Sequence, residues 1–213
     1  MERVNKEAYL QDPCGASSLP YWKTNCIPVP ENLLILREDD PRLDELCKAC
    51  ADTPYFKLIH RMQRVDPITL PKGFRFVLPD EAALCEHIAA CYKSERVSAS
   101  ELAACRLRPT FSPDLWLAII DEATDEIVAS GIGEVDGEIR EGILEWIQVS
   151  PACRRQRFGR IIVCELLLRM QGRVDFVTVS GKETDPFHPR TLYEGCGFGG
   201  GVVWHVLQKT RRT

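Results

Sequence analysis

Four arginines and one glycine lie within seven residues of a chain that is acidic overall. The stretch runs from Arg154 to Arg160, contains Gly159 and leads into an apolar helical pattern that ends near Met170. A helix N-terminus presents unbonded N–H groups and a positive dipole end, and glycine allows a close backbone approach. These features predict a cradle for a pyrophosphate group. The stretch alone leaves two alternatives open, a solvated basic turn and a nucleic-acid patch.

Composition and motifs narrow these alternatives. The chain has 213 residues, with 27 Lys and Arg against 31 Asp and Glu, a net charge of -4. A general nucleic-acid coat needs a basic excess, so we expect no nucleic-acid partner. The stretch lacks the Lys-Ser/Thr pair of a P-loop and the spaced glycines of a Rossmann loop, which argues against both classes.

Carboxylates form a second group that could do chemistry. Strand alternation over Glu141–Val149 predicts that Glu141, Ile143, Glu145, Ile147 and Val149 share one face. The hairpin that leads into this strand is also acidic, with Glu134, Asp136 and Glu138. It could attract a cationic amine, although a solvated hairpin surface is the plainer interpretation.

From Gly73 onward the pattern alternates between strands and helices. The predicted strands are Phe74–Leu78, Leu115–Asp121, Glu126–Val135, Glu141–Val149, Val174–Val179 and Val202–Gln208. Asp80 is a predicted N-cap, and Ser98 with Glu101 predicts a capping box. A short helix is expected over Pro189–Cys196, and Gly199–Gly201 is expected to form a turn before the last strand.

The first 72 residues differ from the rest because eight prolines keep regular elements short. We therefore divide the chain into a Pro-rich extension, residues 1–72, and a domain, residues 73–213. Helical spacing predicts short helices over Arg42–Ala51 and Tyr55–Gln63. The aromatic segment Leu19–Lys23 could wall a pocket or simply pack on a sheet edge, and we favour packing.

Three segments in order resemble the GNAT superfamily of N-acetyltransferases. They are Leu144–Pro151, the basic stretch Arg154–Gly159 and the tail Leu192–Phe198, which keeps the family's Leu-Tyr-x-x-x-Gly-Phe motif. The resemblance covers about residues 73–213. It implies an α+β fold whose mixed, mostly antiparallel sheet of six or seven strands is splayed between two parallel strands and flanked by helices. In the phosphate loop, Arg157 stands where the family has its first glycine.

The resemblance also implies a cofactor and site residues. Acetyl-CoA would be the co-substrate, its pantetheine arm on the strand and its pyrophosphate on the loop. The implied binding residues are Ile147, Gln148, Val149, Arg154, Arg155, Gln156, Arg157, Phe158, Gly159 and Arg160. Tyr193 would be the general acid that protonates the leaving thiolate. Glu145 is the first candidate for the base that deprotonates the amine, Glu141 the second, and a backbone N–H near Val149 would hold the oxyanion.

The expected function is acetyl transfer to a primary amine of a small molecule, with a peptide amine as an open acceptor. A non-catalytic acyl-CoA-binding sensor or regulatory module is the alternative. We expect cytoplasmic localisation and no membrane partner. The sequence leaves a homodimer open as the oligomeric state. We expect no metal, because Cys47 and Cys50 have no second pair at zinc-site spacing and the four histidines show no ligand spacing.

Overall fold

A computed structural model describes residues 4–92 and 96–209. The chain divides into two compact units. One comprises the residues up to His60 together with those from Thr178 onward, and the other is the continuous segment Arg61–Val177. Each unit contains both strands and helices.

The continuous unit alternates strands and helices, as the sequence predicts. Its elements are β3 Phe74–Val77, α4 Glu81–Cys91, α5 Ala99–Cys105, β4 Phe111–Asp121, β5 Ile127–Asp136, β6 Glu141–Val149 and α6 Phe158–Met170. The strands follow the order β6-β5-β4-β3, and every neighbouring pair is antiparallel. The connections from β4 to β5 and from β5 to β6 are short, as antiparallel neighbours allow, whereas α4 and α5 lie between β3 and β4.

The helix starts in this unit confirm the predicted caps. The Asp80 side chain accepts a hydrogen bond from the Ala83 N–H at the start of α4. Ser98 and Glu101 form a full capping box at the start of α5. Each cap satisfies N–H groups that the first helical turn would otherwise leave unbonded.

Glycines in the strands let α6 pack closely on one face of the sheet. A Cβ on Gly131 would come within 2.7 Å of the Ile162 side chain, and one on Gly133 within 2.6 Å of Met170. The opposite face carries a separate apolar cluster, formed by Leu84, Ile88, Leu102, Trp116 and Ile132 with Trp146 packed against it.

The other unit joins the start of the chain to its end. Its elements are α1 Lys6–Gln11, α2 Tyr21–Cys26, β1 Leu33–Arg37, α3 Leu43–Leu46, β2 Cys50–His60, most of β7 Phe176–Lys182, α7 Pro189–Glu194 and β8 Gly199–Lys209. The strand order here is β1-β8-β2-β7. The last strand, β8, pairs antiparallel with both β1 and β2.

Of the two helices expected in the first 72 residues, one is shorter than predicted and the other is wrong. The helix predicted over Arg42–Ala51 ends at Leu46, and Cys50 already pairs with Lys209 in the β2–β8 ladder. Tyr55–Gln63 is mostly strand, because β2 runs to His60. The last five residues of β2 are all buried, so both faces are covered and the strand shows no alternation that could distinguish it from a helix.

The turn expected at Gly199–Gly201 is also wrong, since β8 begins at Gly199. The register between β2 and β8 shifts between Lys57 and Ile59, and Gly200 has φ +69° beside this irregularity. Glycine serves this bulge because other residues rarely adopt a positive φ.

The predicted fold class is confirmed, but with eight strands instead of the expected six or seven. The fold is α+β, with eight strands that are mostly antiparallel to their neighbours and helices that flank them. The boundary at residue 72 stays a prediction. Within the described residues, no helix combines the length and the apolar character that crossing a bilayer requires.

Candidate active site

A β-bulge interrupts β6 next to the predicted phosphate loop. The register with β5 pairs Ile132 with Glu145 but Ser130 with Gln148, so β6 has one residue more than β5 between these pairs. Trp146 lies in the extra segment with φ +50°, a left-handed conformation that is uncommon outside glycine. Such bulges re-aim side chains and leave backbone groups without a ladder partner.

The bulge corrects the predicted face of β6. Ile147 lies on the side of α6, where a Cβ on Gly131 would meet it at 2.6 Å. Glu145 lies on the opposite face, where its carboxylate is 3.8 Å from the Arg108 guanidinium. Glu145 therefore does not share a face with Ile147 and Val149, because the extra residue inverts the alternation between them.

Beyond β6 the chain forms a tight, partly left-handed loop. A 3-10 turn spans Pro151–Cys153, and Arg155 and Arg157 have φ +63° and +70°. Arg157 is the N-cap of α6, and no side chain caps this helix end. The position where the family has glycine is thus one whose left-handed backbone explains the glycine preference.

The loop arginines divide into two kinds. Arg155, Arg157 and Arg160 are exposed, and within the described residues their side chains have no hydrogen bond or ion pair. Arg154 is half-buried and donates to the backbone carbonyls of Val149 and Cys91, at 3.3 and 3.2 Å. Three cations are thus available to a ligand, whereas Arg154 joins the loop to the end of α4.

These residues fit the pyrophosphate of a coenzyme A molecule. The start of α6 offers N–H groups without a side-chain cap, and three arginines that have no partner among the described residues surround it. An anion there is stabilised by the helix dipole as well as by the guanidinium groups. Arg155, Arg157, Arg160 and the backbone from Phe158 to Arg160 are the groups that would hold it.

A buried polar network lies under the loop, and no sequence motif marks it. His87 on α4 bonds Ser130 through Nδ1 at 2.8 Å and Ser150 through Nε2 at 3.0 Å. The Gln148 amide donates to the same Ser130 hydroxyl at 2.5 Å. Burial lowers the pKa of His87 to about 4, so the imidazole is neutral at physiological pH. The network links β5, β6 and α4 at the entry to the loop.

The acidic hairpin is not solvated. Glu134, Asp136 and Glu141 are 1%, 6% and 0% exposed, and of the four hairpin carboxylates only Glu138 lies on the surface. Glu134 accepts hydrogen bonds from Arg108 at 2.8 Å and from Thr110 at 3.2 Å. The plainer interpretation of this hairpin is therefore wrong, because a charged group this deep must be bonded rather than hydrated.

Glu145 is the more accessible of the two predicted bases. Its side chain is 20% exposed, whereas Glu141 is fully buried. A base that takes a proton from a substrate must be within reach of that substrate. The order of the two candidates, Glu145 before Glu141, therefore agrees with their burial.

Tyr193 belongs to the other unit, on α7. Its ring packs against Phe56 and Phe198, with ring centroids 6.1 and 5.7 Å away, and the residue is 6% exposed. Phe198 belongs to the same tail motif, and its N–H donates to the Tyr193 carbonyl at 3.1 Å. The intact motif thus forms a compact aromatic turn that holds the tyrosine ring in place.

Neither a protein-family model nor a curated protein sequence matches the chain. Solved structures do match. A GCN5-related N-acetyltransferase from Sphaerobacter thermophilus aligns with TM-score 0.69 and 16% identity, over 91% of this chain and 66% of that one. One from Kribbella flavida aligns with TM-score 0.54 and 15% identity, over 84% and 68%.

The ribosomal-protein-S18-alanine N-acetyltransferase from Escherichia coli aligns with TM-score 0.51 and 16% identity, over 66% of this chain and 96% of that one. The chain thus spans about two thirds of the two larger neighbours. At these identities the likeness defines the fold. The fold of the chain is that of the GNAT N-acetyltransferases, and this confirms the predicted resemblance.

Proposed function

We propose that this protein is an acetyl-CoA-dependent N-acetyltransferase that moves an acetyl group to a primary amine. One observation carries the proposal. The bulged strand β6 runs into a left-handed loop and an uncapped helix start, surrounded by three arginines that have no partner among the described residues. This arrangement suits a diphosphate bound at the helix start, beside a strand whose ladder is interrupted by a bulge. The GNAT fold of the chain supports the same function.

The binding of acetyl-CoA is divided between the strand β6 and the loop that leads into α6. In the proposal, the backbone of Ile147, Gln148 and Val149 pairs with the pantetheine arm. The helix start at Phe158 and Gly159 and the three exposed arginines hold the phosphates, while Gln156 lies at the loop's exposed rim. Arg154 acts indirectly, because its bonds to backbone carbonyls fix the loop.

The reaction then needs two proton transfers. The deprotonated amine would attack the carbonyl carbon of the thioester; a C–N bond would form, the C–S bond would break, and coenzyme A would leave as the thiolate. Glu145 accepts the proton of an amine that is mostly charged at neutral pH, since a free alkylamine has a pKa of about 10. A backbone N–H near Val149 stabilises the oxyanion. Tyr193 donates a proton to the departing thiolate.

For the acceptor we propose a primary amine of a small molecule. One structural neighbour is named for a protein alanine, which keeps a peptide amine as the second acceptor class. We expect neither nucleic acid nor membrane as partner. The oligomeric state is left open between a monomer and a homodimer. None of the ten cysteines, all of which lie among the described residues, forms a disulfide, which is consistent with the reducing cytoplasm that we propose.

Calorimetric titration with acetyl-CoA tests the phosphate cradle. We expect micromolar binding that an Arg155→Ala/Arg157→Ala/Arg160→Ala variant weakens at least tenfold. Arg64→Ala is the control, since this arginine is exposed and pairs with Asp66, two residues away. Acetyl-pantetheine, which lacks the diphosphate, should bind the triple variant and the wild type equally. Absence of acetyl-CoA binding to the wild type would overturn the proposal.

Thiol release with a panel of amines tests catalysis. We expect turnover that Glu145→Gln and Tyr193→Phe each lower about 10²-fold in kcat while acetyl-CoA affinity is retained. Tight acetyl-CoA binding with no thiol release for any amine would instead support the acyl-CoA-binding module. An unchanged kcat in either variant would remove that residue from the mechanism.

A further inference from the structure

Three side chains that bind metals in other proteins converge in the unit that contains both chain ends. They are Cys47, just after α3, Asp52 on β2 and His205 on β8. Asp52 Oδ2 lies 2.8 Å from His205 Nδ1 and 3.7 Å from Cys47 Sγ. The three potential ligand atoms all lie within 4.8 Å of one another. This cluster plays no part in the proposed acyl transfer.

The fold explains why these residues meet although 153 positions separate Asp52 from His205. Asp52 pairs with Leu207 in the antiparallel ladder, so His205 is its diagonal neighbour on the same face. Leu207 is fully buried against Leu43 of α3. This packing places the end of α3, and with it Cys47, beside the pair.

The donor set and its spacing suit zinc. Thiolate, imidazole and carboxylate are all zinc ligands, with bonds of about 2.0–2.3 Å. In a tetrahedron with such bonds the ligand atoms lie about 3.3–3.8 Å apart. The Cys47–Asp52 distance already falls in this range. The Asp52–His205 distance needs to open by about 0.5 Å as an ion replaces the hydrogen bond.

The electrostatic surroundings favour a cation. Asp52 and Asp44 place negative charge near Cys47, and this charge attracts a cation. The order of the contacts argues against a cysteine nucleophile, because the thiol meets the carboxylate rather than the imidazole. Side-chain exposures of 25% for Asp52 and 18% for His205 leave an entry path for an ion.

We propose that Cys47, Asp52 and His205 form a zinc site with one open coordination position for water. Three protein ligands plus water is a common zinc arrangement. The sequence predicts no metal because Cys47 and Cys50 are its one pair at a recognisable zinc-site spacing. The proposed site uses only Cys47 of that pair, and its other two ligands come from the paired strands β2 and β8. A bound ion joins α3 to the β2–β8 ladder and so stabilises this unit.

Metal titration of the full chain tests the site. After chelator treatment and dialysis, Zn²⁺ is titrated in competition with a chromophoric chelator, and Co²⁺ is added separately for spectroscopy. We expect one tight ion per chain, a thiolate-to-cobalt charge-transfer band and a rise in Tm with Zn²⁺. Cys47→Ser should lower Zn²⁺ affinity at least tenfold and abolish the band. Asp52→Asn should lower the affinity but keep the band.

Cys50→Ser is the matched control, because Cys50 lies three residues away and outside the cluster. It should keep both the affinity and the band. Near-UV circular dichroism of each apo variant establishes that it is folded, and if Cys47→Ser does not fold, the affinity of Asp52→Asn tests the site in its place. Three outcomes overturn the proposal: no tight ion, unchanged affinity in folded Cys47→Ser or Asp52→Asn, and loss of the ion in Cys50→Ser. None of these readouts depends on acetyl transfer.

Discussion

Arg157 has two opposed effects: its backbone conformation lowers stability, and its side chain offers a charge for ligand binding. Its φ of +70° is left-handed, a conformation that costs a non-glycine residue about 1–2 kcal/mol. Its guanidinium is exposed and has no partner among the described residues, so it is available to a phosphate. The chain thus accepts local strain at the helix start where a ligand's charge would be bound.

Replacing Arg157 with glycine separates these contributions. Arg157→Gly should raise the free energy of unfolding by about 0.5–1 kcal/mol, because glycine adopts the left-handed conformation without strain. The same variant should bind acetyl-CoA more weakly, since one cation is lost. Urea unfolding and calorimetry measure the two effects. Gln156→Gly, at a neighbour without positive φ, should instead lower stability, and equal changes in both variants would contradict the strain argument.

His87 should make stability depend on pH. Its folded pKa of about 4 lies below the usual 6.5, so the unfolded state binds more protons between these values. Stability is therefore complete above pH 6.5 and falls by as much as about 3 kcal/mol as pH drops to 4. Urea midpoints from pH 4.5 to 7.5 should fall less steeply for His87→Gln than for wild type. Parallel curves would show that the imidazole is not held neutral.

At the scale of elements, Lys57 holds the N-terminal segment onto β2. Its ammonium is 1% exposed and donates to the Tyr9 hydroxyl and to the carbonyls of Ser17 and Leu19, at 2.8–3.1 Å. The same nitrogen lies 4.8 Å from the centre of the Tyr9 ring. All three ammonium hydrogens therefore have acceptors.

Truncation of Lys57 should be costly, because it leaves two carbonyls and a hydroxyl buried without their donor. Lys57→Ala should lower the free energy of unfolding by about 3 kcal/mol. Lys48→Ala, at an exposed lysine, should stay within about 0.5 kcal/mol of wild type. Equilibrium urea unfolding compares the two. A loss below about 1 kcal/mol for Lys57→Ala would show that water replaces the ammonium.

An element of this fold can be predicted from the sequence where several local signals agree on it. The bounds of β6 and the end of α6 at Met170 are predictable because hydrophobic pattern, proline and basic turn agree there. The strand β2 is not, because burial on both faces removes alternation. The bulge at Trp146 has no sequence signal of its own, since tryptophan rarely adopts positive φ, and only strand pairing reveals it. Candidate roles for Glu145 and Tyr193 come from motif resemblance and stay predictions.

At the scale of the whole molecule, the beginning of the chain completes the structure around its end. The strand β8 pairs with β1 from Leu33 to Arg37 and with β2 from Cys50 to Ile59, so both of its antiparallel neighbours come from the first 60 residues. The aromatic segment near the start packs too, as Trp22 is 9% exposed and the Tyr21 ring lies 5.5 Å from that of Tyr9. This agrees with packing as the favoured role of that segment.

Deletion of residues 1–60 should therefore unfold the unit that contains β8. Hydrogen exchange with peptide resolution is the measurement, because it reports each unit separately. Amides of β8 should lose protection in the deletion variant, since an isolated strand has no ladder partners. If they stay protected and acetyl-CoA still binds while turnover is lost, the first 60 residues would serve the substrate pocket instead. The amides of α6 and β5 provide the internal reference, because every strand that pairs with β5 lies within Arg61–Val177.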